Sequence, residues 1–127
     1  MASLVNLKTF TDDRGNLTVI EKVLPFDIKR IFYIYGVDKS ERGGHRHHQT
    51  MQAAICIRGK CTIYNDNGIL QNTFELDSPD KCLLIQPEDW HSMYSFSEDA
   101  ILMVLASEYF EANDYIYTPY SYAYDSL

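Results

Sequence analysis

Short apolar runs, each the length of one β-strand and each closed by turn residues, recur along almost the whole chain and restrict its fold more than any other feature. Val5 to Phe10, Leu17 to Val23 and Ile31 to Tyr35 are separated by D-D-R-G and L-P-F-D. Gln52 to Arg58, Cys61 to Tyr64, Gly68 to Leu76, Cys82 to Ile85, His91 to Phe96 and Ile101 to Ala106 continue the series. Between them stand R-G-K around Gly59, Asn65-Asp66-Asn67-Gly68, S-P-D, Q-P-E-D and S-E-D, residues that preset or tolerate turn dihedrals. No segment before Ser107 keeps a 3.6-residue apolar period, so helices of note are excluded. About ten strands at this spacing read as an all-β sandwich or barrel.

Two of the runs say more. Ile101 to Ala106 (I-L-M-V-L-A) is apolar on both faces, as expected of a strand between two layers or at an interface. Gln52 to Arg58 sets Ala53, Ile55 and Ile57 against Gln52, Ala54 and Cys56, which predicts one core face and one face free to line a cavity. At 127 residues with 46% hydrophobic content the chain reads as one domain, residues 1–127. Its tail, from about residue 107, holds tyrosines 109, 115, 117, 120, 122 and 124, expected to pack over the barrel or a partner subunit with their hydroxyls wet.

A formal charge of −7 argues against a nucleic-acid backbone or an anionic membrane surface as partner. An anionic ligand would need a local cationic site, and Lys39, Arg42 and Arg46 against Glu41 form one. Cys56, Cys61 and Cys82 are odd in number, lack C-x-x-C spacing and lie in apolar runs, so they read as buried thiols in a reducing compartment. The N-terminus lacks the basic-then-apolar order of a signal peptide, and no apolar run approaches the roughly 20 residues of a membrane span. These features point to a cytoplasmic protein.

Chemistry concentrates in R-G-G-H-R-H-H-Q-T-M-Q, Arg42 to Gln52, which carries three of the four histidines. Glycines let the backbone turn tightly. H-x-H on an extended segment sends His45 and His47 to one face and Arg46 to the other. Two imidazoles on one wall suit general acid–base work, because their unperturbed pKa lies near 6.5. Arg42 is the better-placed arginine for a ligand.

His45-x-His47, then Gln52, then Gly59, resembles the first cupin motif, and Pro87-Glu88-Asp89-Trp90-His91 is similar to the second, one residue short. A metal-binding cupin would use the two histidines, an acid and the later histidine as ligands. Here the acid is Gln52, a poor ligand for a dication beside a carboxylate, so no catalytic metal is expected. D-D-R-G-N-L at Asp12, P-F-D-I-K-R-I-F-Y-I at Pro25, R-G-G-H-R-H at Arg42, L-D-S-P at Leu76, W-H-S-M at Trp90 and M-V-L-A-S-E-Y-F at Met103 together resemble the nucleotide-sugar 3,4-ketoisomerases, the WxcM-like cupins similar to dTDP-4-keto-6-deoxyglucose 3,4-ketoisomerase. The likeness runs from about residue 5 to Ile116.

That resemblance implies a homodimeric, metal-free cupin barrel of the jelly-roll type. Its substrate would be a dTDP-linked 4-keto-6-deoxy sugar, its product a 3-keto sugar handed to a 3-aminotransferase for surface glycans. No redox cofactor is required. The H-x-H pair maps to His45 and His47 as catalytic residues, with His47 assigned the carbon proton and His45 the oxygens. Substrate contacts are expected at Arg14, Arg30, Tyr33, Arg42, Gln52 and His91. Tyr33 is alternatively core, Arg14 a turn residue, and His91 either a rim residue or a third imidazole. Trp90 either stacks on a base or closes the barrel. Arg14 with His91 resembles the pair of the galacto-forming branch, so the expected product is the xylo-hexos-3-ulose. The competing readings are a non-catalytic sugar-binding cupin and a metal-dependent cupin enzyme.

Overall fold

In the computed structural model, which describes residues 1–122, the strand runs become two five-stranded antiparallel sheets lying face to face. Tyr124 of the tyrosine-rich tail lies outside the described residues. The first sheet takes the order β1 (Ser3–Asn6), β9 (Lys81–Ile85), β6 (Gln52–Arg58), β11 (Ile101–Ala106) and β4 (Arg30–Ile34). The second takes the order β12 (Tyr115–Ile116), β5 (Arg42–His47), β10 (Trp90–Tyr94), β7 (Cys61–Asp66) and β8 (Gln71–Leu76). Strands β2 (Lys8–Asp12) and β3 (Gly15–Val19) form a separate hairpin. Among the described residues the only helical piece is a 3₁₀ turn, Ala112–Asp114.

The interior is filled from both sheets: Ala54, Cys56, Leu83, Ile85, Leu102 and Val104 meet Cys61, Ile63, Leu76 and Met93. A second cluster forms on the outer face of the first sheet, where Ala53, Ile55, Cys82 and Leu105 are covered by Leu7, Ile20, Val23, Leu24 and Phe26. This second layer explains the two-faced apolarity of β11. Leu102 and Val104 point between the sheets, while Leu105 and Met103 pack under the 20–26 segment. It also corrects the expectation for β6. Ala54 and Cys56 belong to the packed interior, so only Gln52, at the end of the strand, is placed to line a site.

Several boundaries move for local reasons. The run from Val5 to Phe10 divides at the buried Leu7 into β1 and the start of the hairpin. Asn65 and Asp66 extend β7 instead of opening a turn, because they pair with Asn72 and Gln71; the reversal is left to Asn67 and Gly68 (φ +92°). All three cysteines are buried and free. No helix among the described residues is long and apolar enough to cross a membrane.

Candidate active site

Strand β5 enters the second sheet through two consecutive left-handed glycines, Gly43 (φ +83°) and Gly44 (φ +80°). A Cβ on Gly43 would stand 3.0 Å from the His91 carbonyl oxygen and 3.2 Å from Ser92 Cα, so glycine is what lets β5 approach β10. The pairing slips one place between His91 and Ser92, as a β-bulge does when it re-aims a side chain. The consequence is chemical: His45 comes opposite His91, and His47 follows on the same face.

The three imidazoles form one cluster. His45 lies 5.0 Å from both His47 and His91, centroid to centroid, and His47 lies 6.1 Å from His91. His47 is 3% exposed and His91 is fully buried. Burial disfavours the imidazolium form and holds all three at about 4. Each neighbouring imidazole pushes in the same direction, and for His47 so does the Arg30 guanidinium, against the opposing pull of Asp114. At neutral pH the cluster is therefore uncharged and able to accept protons. His91 Nδ1 lies 3.0 Å from the Asp89 carbonyl oxygen. Since a carbonyl only accepts, Nδ1 carries the hydrogen and Nε2 is left as the acceptor.

The facing wall comes from the first sheet. Ala106 pairs with Arg30 on one side and Gln52 on the other, which puts those two side chains on one face with only a methyl group between them. The Arg30 guanidinium packs over Phe32 (4.7 Å) and Phe110 (5.4 Å). Gln52 is 3% exposed. Gln52 Oε1, His47 Nε2 and His91 Nε2 are buried without a hydrogen-bond partner, an arrangement that is rare unless a ligand's polar groups meet it.

The tail closes the group. Burial works against ionisation of the Asp114 carboxyl, but bonds from Thr50 Oγ1 (2.5 Å) and the Gln49 amide (2.8 Å) hold it below the usual carboxylate range. That anchor delivers β12 to the edge of β5, with Tyr115 opposite His47. The Tyr115 ring lies 4.7 Å from His47 and 4.8 Å from His45, and Tyr117 lies 6.1 Å from His45. Sequence reasoning missed Tyr115, Tyr117 and Phe110. The signal was Tyr115-x-Tyr117, which repeats the period-two spacing of His45-x-His47; Tyr115 pairs with His47, and the Tyr117 ring reaches His45.

Of the residues singled out from sequence, His45, His47, His91, Arg30 and Gln52 come together within one chain. His91 is the third imidazole and not a rim residue. Tyr33 does not join them: β4 points Arg30 and Phe32 inward, so Tyr33 faces out, 62% exposed and stacked on Tyr35 at 5.7 Å. Arg42 is exposed beside a separate cavity of about 140 Å³ with Tyr35 and Asp38, because the left-handed glycines turn the chain before β5 reaches the histidines. Arg14 stands at the hairpin tip, its side chain 90% exposed and bonded to Asp12 at 2.6 Å. Arg46 lies on the opposite face from the histidines, 4.3 Å above the Tyr120 ring. Trp90 packs edge-on to Tyr64 at 6.2 Å, away from the imidazoles. A cupin metal does not fit: an amide stands at the acid position, and among the described residues no three His, Cys, Asp or Glu side chains are arranged to hold an ion.

The chain matches the family model described as FdtA: WxcM-like, C-terminal, over residues 1–125. It is 41% identical over 116 residues to the TDP-4-oxo-6-deoxy-α-D-glucose-3,4-oxoisomerase of Aneurinibacillus thermoaerophilus, spanning 89% of this chain and 84% of that protein. Among solved structures it superposes with a TM-score of 0.88 on a variant of the 3,4-ketoisomerase QdtA of Thermoanaerobacterium thermosaccharolyticum in complex with TDP-4-keto-6-deoxyglucose, at 39% identity, covering 98% of this chain and 89% of that one. The WlaRB TDP-quinovose 3,4-ketoisomerase of Campylobacter jejuni gives the same score at 36% identity, over 98% and 95% of the two chains. Matched over nearly its whole length by the family model and by a relative of 41% identity, the chain belongs to the FdtA, WxcM-like family.

Proposed function

We propose that this chain is a 3,4-ketoisomerase acting on a TDP-linked 4-keto-6-deoxyhexose. One observation carries the reading: three uncharged imidazoles share a buried wall facing Arg30 and Gln52, in a chain 41% identical to a 3,4-oxoisomerase. The C4 carbonyl acidifies the hydrogen on C3. His47 takes that proton, and the electron pair moves through C3–C4 to the C4 oxygen, giving an enediolate. His45 then delivers a proton to the C4 oxygen and takes one from the C3 hydroxyl, the C3 oxygen becomes the carbonyl, and the proton held by His47 is returned to C4. Atoms and electrons balance within the sugar, so no redox cofactor enters. Arg30 supplies positive charge beside His47, which stabilises the enediolate as it forms. Gln52 offers an amide to a sugar hydroxyl.

The working unit is a homodimer. Its support is the apolar surface one chain leaves open: Ile31 and Tyr33 on the outer face of the edge strand β4 with Tyr35 just beyond it, and Phe10 opposite Leu17 on the β2–β3 hairpin. Exposed large apolar side chains grouped on a strand face and on a hairpin mark association surfaces. The product is the galacto-type (xylo) 3-ketone, a reading that rests on Arg14 with His91. Within one chain Arg14 is on the exposed hairpin and His91 is in the interior, so Arg14 can meet substrate only if the hairpin of one copy lies against the site of the other.

The test is to incubate the protein with dTDP-4-keto-6-deoxyglucose, a 3-aminotransferase and an amino donor. A 3-amino-3,6-dideoxy sugar is the expected product, and its C4 configuration reports the stereochemistry. No 3-amino sugar from the complete mixture would remove the ketoisomerase reading.

A further inference from the structure

We propose that Tyr115 is a positioning residue of the histidine pair, its ring setting the planes in which His45 and His47 meet the sugar; the inference rests on the ketoisomerase reading of that pair. Register comes first. Tyr115 is paired directly with His47 across β12 and β5, so the two side chains share a face. Contact comes second. The ring centroid is 4.7 Å from His47 and 4.8 Å from His45, with planes inclined at 66° and 59°, the edge-to-face range that aromatic pairs prefer. Only the His91 ring also reaches both, among the described residues.

The third observation is that this ring is itself held. Tyr117 stacks on it at 6.0 Å with planes 20° apart, Phe110 lies 5.6 Å away, and the preceding residue, Asp114, is anchored by the bonds its carboxylate accepts from the Thr50 hydroxyl and the Gln49 backbone N–H. An imidazole rotates easily about its outer torsion unless a hydrogen bond or a packed neighbour stops it. His47 Nε2 has no such bond, which leaves ring packing to set its plane, while His45 has a hydrogen bond with the Gly43 backbone beside its packing against Tyr115. The charged and titratable groups facing His47 are His45 from β5, His91 from β10, Arg30 from β4, Asp114 from the 3₁₀ turn and Tyr115 from the tail, with Tyr117 facing His45. Of these, Tyr115 is the one whose contact to both catalytic imidazoles depends on a two-residue strand.

The role belongs to the ring and not to the hydroxyl, so the two halves can be separated. Wild type, Tyr115→Phe and Tyr115→Leu are compared in the coupled assay, and their imidazole resonances are titrated by NMR without substrate. The expected result is Tyr115→Phe within about threefold of wild type, and Tyr115→Leu lowered in kcat by on the order of ten- to hundredfold with KM nearly unchanged, as misplacement of a reacting group costs. The titrations of His45 and His47 should move up from about 4 in Tyr115→Leu only. Should Tyr115→Leu fail to fold, Tyr115→Met carries the same expectations. A Tyr115→Phe variant as impaired as Tyr115→Leu, or a Tyr115→Leu variant with wild-type kcat and titration, overturns the proposal. Wild-type protein inactive on the sugar removes the ketoisomerase reading instead, and the substrate-free titration still decides whether Tyr115 governs the imidazoles.

Discussion

At the scale of residues, the arrangement turns on keeping imidazoles neutral. His47 is held at about 4 by burial, by His45 and by Arg30. As the base it must be deprotonated, and it loses function only as pH falls through that value. The acid limb of kcat/KM is therefore expected well below the ordinary imidazole range, between about pH 4 and 5; a limb centred near 6.5 would refute the burial argument. His47→Asn should lower kcat by roughly 10² to 10⁴, the usual worth of one positioned acid–base group, in the same coupled assay. Gln52 stands where a metal-binding cupin has its acid, so turnover should survive exhaustive chelation. Tightly bound stoichiometric metal, with activity lost on stripping and regained on addition, would show otherwise.

At the scale of elements, β5 is the one whose geometry cannot be relaxed. Gly43 combines a left-handed backbone with a Cβ position 3.0 Å from a neighbouring backbone oxygen. Gly43→Ala is expected to cost about 1–3 kcal/mol in denaturant unfolding and to reduce turnover further, because it pushes His45 away from His91. Strand β11 makes the complementary case. Leu102 is fully buried between the sheets, so Leu102→Ala should cost about 2–5 kcal/mol with kcat of the surviving folded protein near wild type. Equal losses of kcat in both variants would mean that the site follows global stability and not the bulge.

At the scale of the whole molecule, two measurements follow. Sedimentation should give a dimer at micromolar concentration, and Phe10→Ser with Tyr33→Ser should shift it to monomer, since both side chains sit on the open apolar surface. A stable wild-type monomer would rule out the dimer. The buried imidazoles also link folding to pH. Burial holds His91 at about 4 in the folded chain, below the ordinary imidazole value of 6.5, so between those values the unfolded chain holds a proton that the folded chain does not. Stability is full above about pH 6.5 and falls towards pH 4, by up to about 1.4 kcal/mol per pH unit for one group, and His91→Asn should flatten that slope in urea titrations.

Much of this was legible in the residues. Strand-length apolar runs with turn chemistry between them made the chain all-β, because a period of two with Gly, Asn and Pro punctuation is a local property. The H-x-H spacing put His45 and His47 on one face and Arg46 on the other for the same reason. Buried free cysteines and the two-faced β11 followed from apolarity alone. What alternation could not give was which faces meet. Tyr33 and Arg30 are three residues apart on one strand, and only the packing of the sheets decided that Arg30 looks at His47 while Tyr33 looks out. His91 became a third imidazole through a bulge that glycine permits in a neighbouring strand. Arg14 was carried off on a hairpin, and Tyr115 entered the site by long-range pairing with a strand about 70 residues earlier. Local sequence sets the direction of each side chain along its own strand; pairing between distant strands decides what it faces, and that information is distributed over the whole chain.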